Sequence, residues 1–184
     1  MLHKKIIFLL CMVFFVMTPV IQASSRPVTP AECYIYNAGN IQLGKSTSIE
    51  NAYPVLGEML SMTQGVPSEA YIPMYAICER GTIWLDDISG NATTETYARI
   101  MRVIFTKSDV YTMKGIHIGD DIQKVYKLYG YPLVSKQNKM PAYDGIVDHW
   151  DSYAPIGGRM EHLGFGSKNG KVVAIYISRT PGGL

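Results

Sequence analysis

The chain is short of three things, and each shortage closes off a class of function. Charge of one sign is the first: 17 basic residues stand against 15 acidic ones in 184. Such a balance raises no field that would hold nucleic acid or an anionic membrane surface. Cysteine is the second, with three in all and no Cys-x-x-Cys or Cys/His spacing of the kind that binds zinc or runs thiol chemistry. The third is a long apolar run. The most apolar stretch, Ile6 to Val16, follows Lys4 and Lys5 and is too short to span a bilayer comfortably.

That stretch reads instead as a secretory signal peptide over residues 1–23, with Ile21-Gln22-Ala23 as a small-residue cleavage site. Cys11 lies behind Leu10, where a lipoprotein signal needs a small residue, so the segment is expected to be discarded and not acylated. A retained anchor is the alternative. Cleavage would remove two of the 17 basic residues and none of the 15 acidic ones, leaving a neutral exported chain, periplasmic or secreted. Membrane contact is then expected only through the cleaved segment. Cys33 and Cys78 survive, and an oxidising compartment favours a disulfide between them. It would contribute roughly 4 kcal/mol by closing a long loop. Two buried thiols are the other reading.

Behind a flexible leader, residues 24–31, the chain is organised around Lys114 to Pro132. Ile116 and Ile118 alternate with small or polar residues, Asp120 with Gln123 makes a capping box, and Ile122, Val125 and Leu128/Tyr129 recur at helical spacing. Gly130 and Pro132 end that helix. A weaker copy occurs earlier: Ile41, Leu43 and Gly44 precede Ile116, Ile118 and Gly119 at one constant offset, and Ile83 and Leu85 precede Leu163 and Phe165 at a similar one. This predicts a tandem repeat, residues 32–106 and 107–184.

In the first copy, Cys33 to Tyr36 predicts a strand, and Thr47 with Glu50 predicts a short helix stopped by Pro54. A further helical piece is expected over residues 55–62. Strands are expected at Tyr71–Cys78, Thr82–Asp86 and Arg99–Thr106. In the second copy they are expected at Val147–Tyr153, His162–Ser167 and Val172–Ser178, with an Asn169-Gly170 hairpin turn. The expected fold is α+β: two repeats of a helix plus a three-strand antiparallel meander, joined in one sheet with the helices packed on one face.

The second copy resembles a known module. Gly115-Ile-x-Ile-Gly-Asp, Tyr-Gly-Tyr-Pro132, Trp150-x-x-Tyr153, Leu163-x-Phe165 and Asn-Gly-Lys-Val172 are similar to the SmpA/OmlA module of outer-membrane β-barrel assembly. The likeness covers residues 112–178 well and 39–105 loosely. A tandem pair on an exported chain also resembles the β-lactamase inhibitory protein-like fold. The matching positions are mostly turn glycines, a proline and core residues, so the resemblance implies architecture before activity. It implies a binding module of the cell envelope or a secreted inhibitor.

Motifs that would carry chemistry are weak. Gly39 to Ser46 fits the GxxxxGKS phosphate loop, but Pro54 shortens the helix that must follow, and the repeat already explains Ile41, Leu43 and Gly44. No nucleotide is expected. His117, His149 and His162 fall on separate elements without ligand spacing, and no serine or cysteine sits in a nucleophile elbow. No cofactor, metal or catalytic residue is expected.

What the chain does have is aromatic surface. It carries 13 tyrosines and two tryptophans, side chains that anchor protein interfaces. Counting alternate residues along each strand assigns Trp84, His149, Tyr153 and His162 to the sheet face away from the helices. The sequence therefore predicts a non-catalytic module whose partner is another protein, met on that face by these four residues. The alternative is a secreted proteinaceous enzyme inhibitor.

Overall fold

The structure is a computed structural model that describes residues 32, 35–38, 41, 46–47, 52–64, 72–87, 98–107, 109–153 and 161–179. In chain order it forms β1 (Ile35–Tyr36), β2 (Ser46–Thr47), α1 (Tyr53–Leu56), β3 (Met59–Gln64), β4 (Ile72–Cys78), β5 (Gly81–Asp87) and β6 (Ala98–Phe105). There follow β7 (Tyr111–Thr112), α2 (Ile122–Tyr129), β8 (Val134–Gln137), β9 (His149–Tyr153), β10 (Glu161–Lys168) and β11 (Lys171–Arg179). A single 3-10 turn, Pro141–Tyr143, lies between β8 and β9.

The expected α+β fold of helix-plus-three-strand repeats is not what forms. The protein is mostly β. One antiparallel sheet runs β3-β4-β5-β6-β11-β10-β9-β8, with β2 bordering β6, and β1 pairs with β7 in a small second sheet. Each half of the large sheet is thus a four-strand meander, and β6 against β11 joins them, Val103 opposite Ile177 and Phe105 opposite Ile175.

The errors have local causes. Ser46 and Thr47 pair with Arg99 and Ala98 as β2, and residues 48–51, where the helix expected from Thr47 and Glu50 would begin, lie outside the described residues. Pro54 begins a helix where it was expected to end one, because its missing N–H costs nothing in a first turn. That helix lasts a single turn. Gly57 leaves it at φ 76, and the residues expected to continue as helix become β3, zipped onto β4 from Met59 opposite Cys78 to Gln64 opposite Met74. Cross-strand pairing outweighs the good helix propensity of Met and Leu in Met-Leu-Ser-Met. β8 is likewise an added edge strand, lying along β9.

α2 forms near where its spacing predicts, with one shift at the cap. Asp121, not Asp120, accepts from the Gln123 N–H at 2.9 Å. Asp120 instead accepts from the His117 N–H and from Lys124 Nζ, each at 2.8 Å. Gly130 closes the helix at φ 80, its N–H donating to the Tyr126 carbonyl. Lys114 Nζ donates to the Leu128 carbonyl at 2.7 Å and pairs with Glu32 at 2.6 Å, placing a cation at the negative end of the helix.

Both helices pack on one sheet face. Val55 and Leu56 of α1 and Ile122, Val125 and Tyr129 of α2 join a core with Ile83, Leu85, Val103, Phe105, Leu163, Phe165 and Ile175. A smaller core lies on the other face, where Tyr143 and Val147 of the β8–β9 connection pack on Trp150, Ala174, Tyr176 and Ile104. Cys78 is a buried free thiol whose pKa is raised by burial and then by Glu79. Its expected partner, Cys33, lies outside the described residues, as do residues 1–31 with the expected signal and leader. No helix among the described residues is long and apolar enough to cross a membrane.

Candidate functional site

Strand register sorts the side chains of the large sheet into cross-strand rows, and successive rows face opposite ways. One helix-side row runs Tyr153, Leu163, Ile177, Val103, Ile83, Ala76 and Met62. The next row faces away from the helices: His162, Ser178, Arg102, Trp84, Tyr75 and Thr63. A second row on that open face runs Ser152, Gly164, Tyr176, Ile104, Thr82, Ile77 and Ser61.

These rows divide the four residues expected to meet a partner. Trp84 and His162 lie on the open face. Tyr153 does not: it is 1% exposed, its hydroxyl donates to the Gly130 carbonyl at 2.9 Å, and its ring meets Tyr129 and Phe165. Burial drives its phenol pKa far up, with Asp151 adding to the shift. His149 pairs with Ser167 two positions further along the helix-side alternation, exposed at the start of β9. The physical reason is register. Tyr153 is opposite Leu163, so a strand that turns Leu163 toward the helices turns Tyr153 there as well. His162 is half-buried, and burial, followed by the nearby Arg102 charge, lowers its pKa.

Gly164 and Gly166 do not leave room for a visitor. A side chain at Gly164 would run into the Tyr176 ring, with its first carbon 2.0 Å from a ring atom; at Gly166 it would meet Trp150 at 2.9 Å. The chain fills these gaps itself. Trp150 stands edge-on to Tyr143 and Tyr176, with ring centroids 5.3 and 5.7 Å away, and its Nε1 donates to Asn138 Oδ1 at 2.8 Å. The Asn138 N–H in turn donates to the Asp148 carbonyl at 2.7 Å, clamping the base of the 138–148 loop.

This loop covers the open face over β9–β11 and reaches as far as Ile104 of β6. Beside it, over β4–β6, lies a groove of about 540 Å³. Tyr75, Ile77, Thr82, Trp84, Arg102 and Ile104 form its floor, Thr63 one margin, and Met140 to Tyr143 the opposite wall. Trp84 and Tyr75 form a tilted pair at 5.2 Å.

Arg102 was not singled out by the sequence reading. It is 4% exposed, with its guanidinium carbon 4.7 Å from the Trp84 ring centre and 5.8 Å from that of Tyr176. Burial lowers its pKa, and its Nε has no hydrogen-bond partner. Trp84 Nε1 and the hydroxyls of Tyr143 and Tyr176 are also buried without one. The Tyr143 hydroxyl leans toward Thr82 and that of Tyr176 toward Ser152, but neither closes a hydrogen bond. Burial pushes both phenols up to about 12. The one signal available was an arginine set among Ile100, Met101, Val103 and Ile104, where strand alternation must bury one side or the other.

Among the described residues no three His, Cys, Asp or Glu side chains gather as metal ligands would. His117 stacks on Tyr111 at 5.1 Å, on the small sheet and away from the groove. Most of the Gly39–Ser46 phosphate-loop pattern lies outside the described residues, and Ser46 sits in a strand. No family model, curated protein or solved structure matches this chain.

Proposed function

We propose that this protein is an exported, non-catalytic protein-binding module of the bacterial envelope, and that its partner meets the open face of the sheet around Trp84. The observation that carries this reading is the aromatic pair Tyr75–Trp84 on the half of that face which no described segment covers. Large aromatics with polar tips, set in a shallow apolar surface, are the usual anchors of protein interfaces. The signal-like residues 1–23 and the SmpA/OmlA-like motifs of residues 112–178 support the envelope setting.

The test is capture from envelope extract on the immobilised chain, with Trp84→Ala in parallel. Loss of a central aromatic anchor should weaken binding of the captured protein by about 2 kcal/mol, while the variant loses only about 1 kcal/mol of stability. Capture of an assembly factor supports the module reading, whereas capture of a single hydrolase turns it toward a secreted inhibitor. Turnover in a hydrolase screen, abolished by one side-chain change, would overturn both.

A further inference from the structure

The groove has a chemistry more particular than an apolar patch. Its floor holds one cation, Arg102, almost wholly buried, with no carboxylate in ion-pair contact among the described residues. A guanidinium removed from water without an anion is costly, and its cost falls when a carboxylate reaches it. Two of the lining residues, Trp84 and Tyr143, also hold a buried donor without a partner, at Nε1 and at the hydroxyl. Among the described lining residues Arg102 carries the one positive charge, and that charge selects an anionic acceptor. Around them Tyr75, Ile77 and Met140 are apolar and partly exposed. The volume, about 540 Å³, falls in the range of small-molecule sites, which combine apolar walls with a few convergent polar groups.

We infer that the groove between the β4–β6 face and the Met140–Tyr143 wall binds a small amphipathic monocarboxylate, its flat or aliphatic body on Trp84 and Tyr75 and its carboxylate at Arg102. The Arg102 guanidinium is held from behind by its stacking on Trp84 and its approach to Tyr176, so little side-chain freedom remains to be lost on binding. This site goes beyond the protein-binding reading and does not rest on it. Both occupants would use Trp84, so a bound acid would compete with a docked partner.

The experiment titrates the chain alone with 2-naphthoate and with its uncharged counterpart 2-naphthamide, followed by tryptophan fluorescence and calorimetry. The expected result is binding of naphthoate at least tenfold tighter than naphthamide. Arg102→Gln should reduce that preference to less than threefold, and Ala142→Trp, which narrows the groove from its exposed wall, should weaken both ligands at least tenfold. Equal binding of acid and amide would overturn the inference, as would no binding of either to the native chain. So would a folded Arg102→Gln protein that keeps the preference. If Arg102→Gln does not fold, Ala142→Trp decides: a folded variant that binds naphthoate like the native chain sinks the proposal.

Discussion

The two halves of the open sheet face are built from the same kind of strand and end up in different states. Over β9–β11 the strands carry Gly164, Gly166 and Ala174, and the loop 138–148 drops Tyr143 and Val147 onto Trp150 and Tyr176 to make a second core. Over β4–β6 the facing positions hold Tyr75, Ile77, Thr82 and Trp84, and the same loop only walls the groove. Small residues on a strand invite neighbouring aromatics down into a closed, dry layer. Large ones stand up and leave a surface to be met. Arg102 is the seam between these two regimes, touching Trp84 on one side and Tyr176 on the other.

The contrast can be broken by substitution. Trp150→Ala should have the largest effect, about 3–5 kcal/mol of stability by denaturant unfolding, since it hollows the covered core and strands Asn138. Gly164→Ala comes next. Its new carbon would collide with the Tyr176 ring, and overpacking of that kind costs about 1–3 kcal/mol; an unchanged unfolding midpoint would show that the two halves are not packed differently. Trp84→Ala, on the open half, should cost only about 1 kcal/mol in the same assay, chiefly its stacking with Arg102. A loss as large as that of Trp150→Ala would show that Trp84 belongs to a core.

The smallest effect concerns pH. The folded pKa of His162 lies below its ordinary value of 6.5, so the unfolded chain takes up a proton first as pH falls. Stability should therefore decline as pH drops through about 6.5 and level off below the folded pKa. His162→Gln should lose less thermal stability than the native chain between pH 7.5 and 5. An identical loss in both would remove His162 as its source.

Much of the strand framework was legible because buried strands alternate plainly. Ile83/Leu85 and Leu163/Phe165 mark β5 and β10, and Asn169 and Gly170, at φ 50 and 76, make the hairpin turn their dipeptide announces. The edges were not legible. β3 and β8 have one neighbour each, and of β3 only Met59 and Met62 pack against the main core, so their sequences show little alternation, and Leu60 is left 65% exposed. The face of Tyr153 was missed because alternation within a strand has no absolute phase; only pairing with Leu163 sets it. The groove wall was invisible for a related reason. Pro141–Tyr143 carries no periodic signal, and it stands where Trp150 and Asn138 pin it.

The strand that joins the two meanders is also the last in sequence among the described strands. β11 pairs with β10 on one side and with β6 on the other, so Val103 to Phe105 lack a neighbour on that side until Ile175–Ile177 are in place. During synthesis the N-terminal meander therefore emerges with a central strand transiently acting as an edge, open to wrong pairing. Closure must wait for residues made some seventy positions later, which is the kind of distant pairing that slows folding. The molecule's most interior seam is sealed last, and truncation before Lys171 would leave it open in every copy.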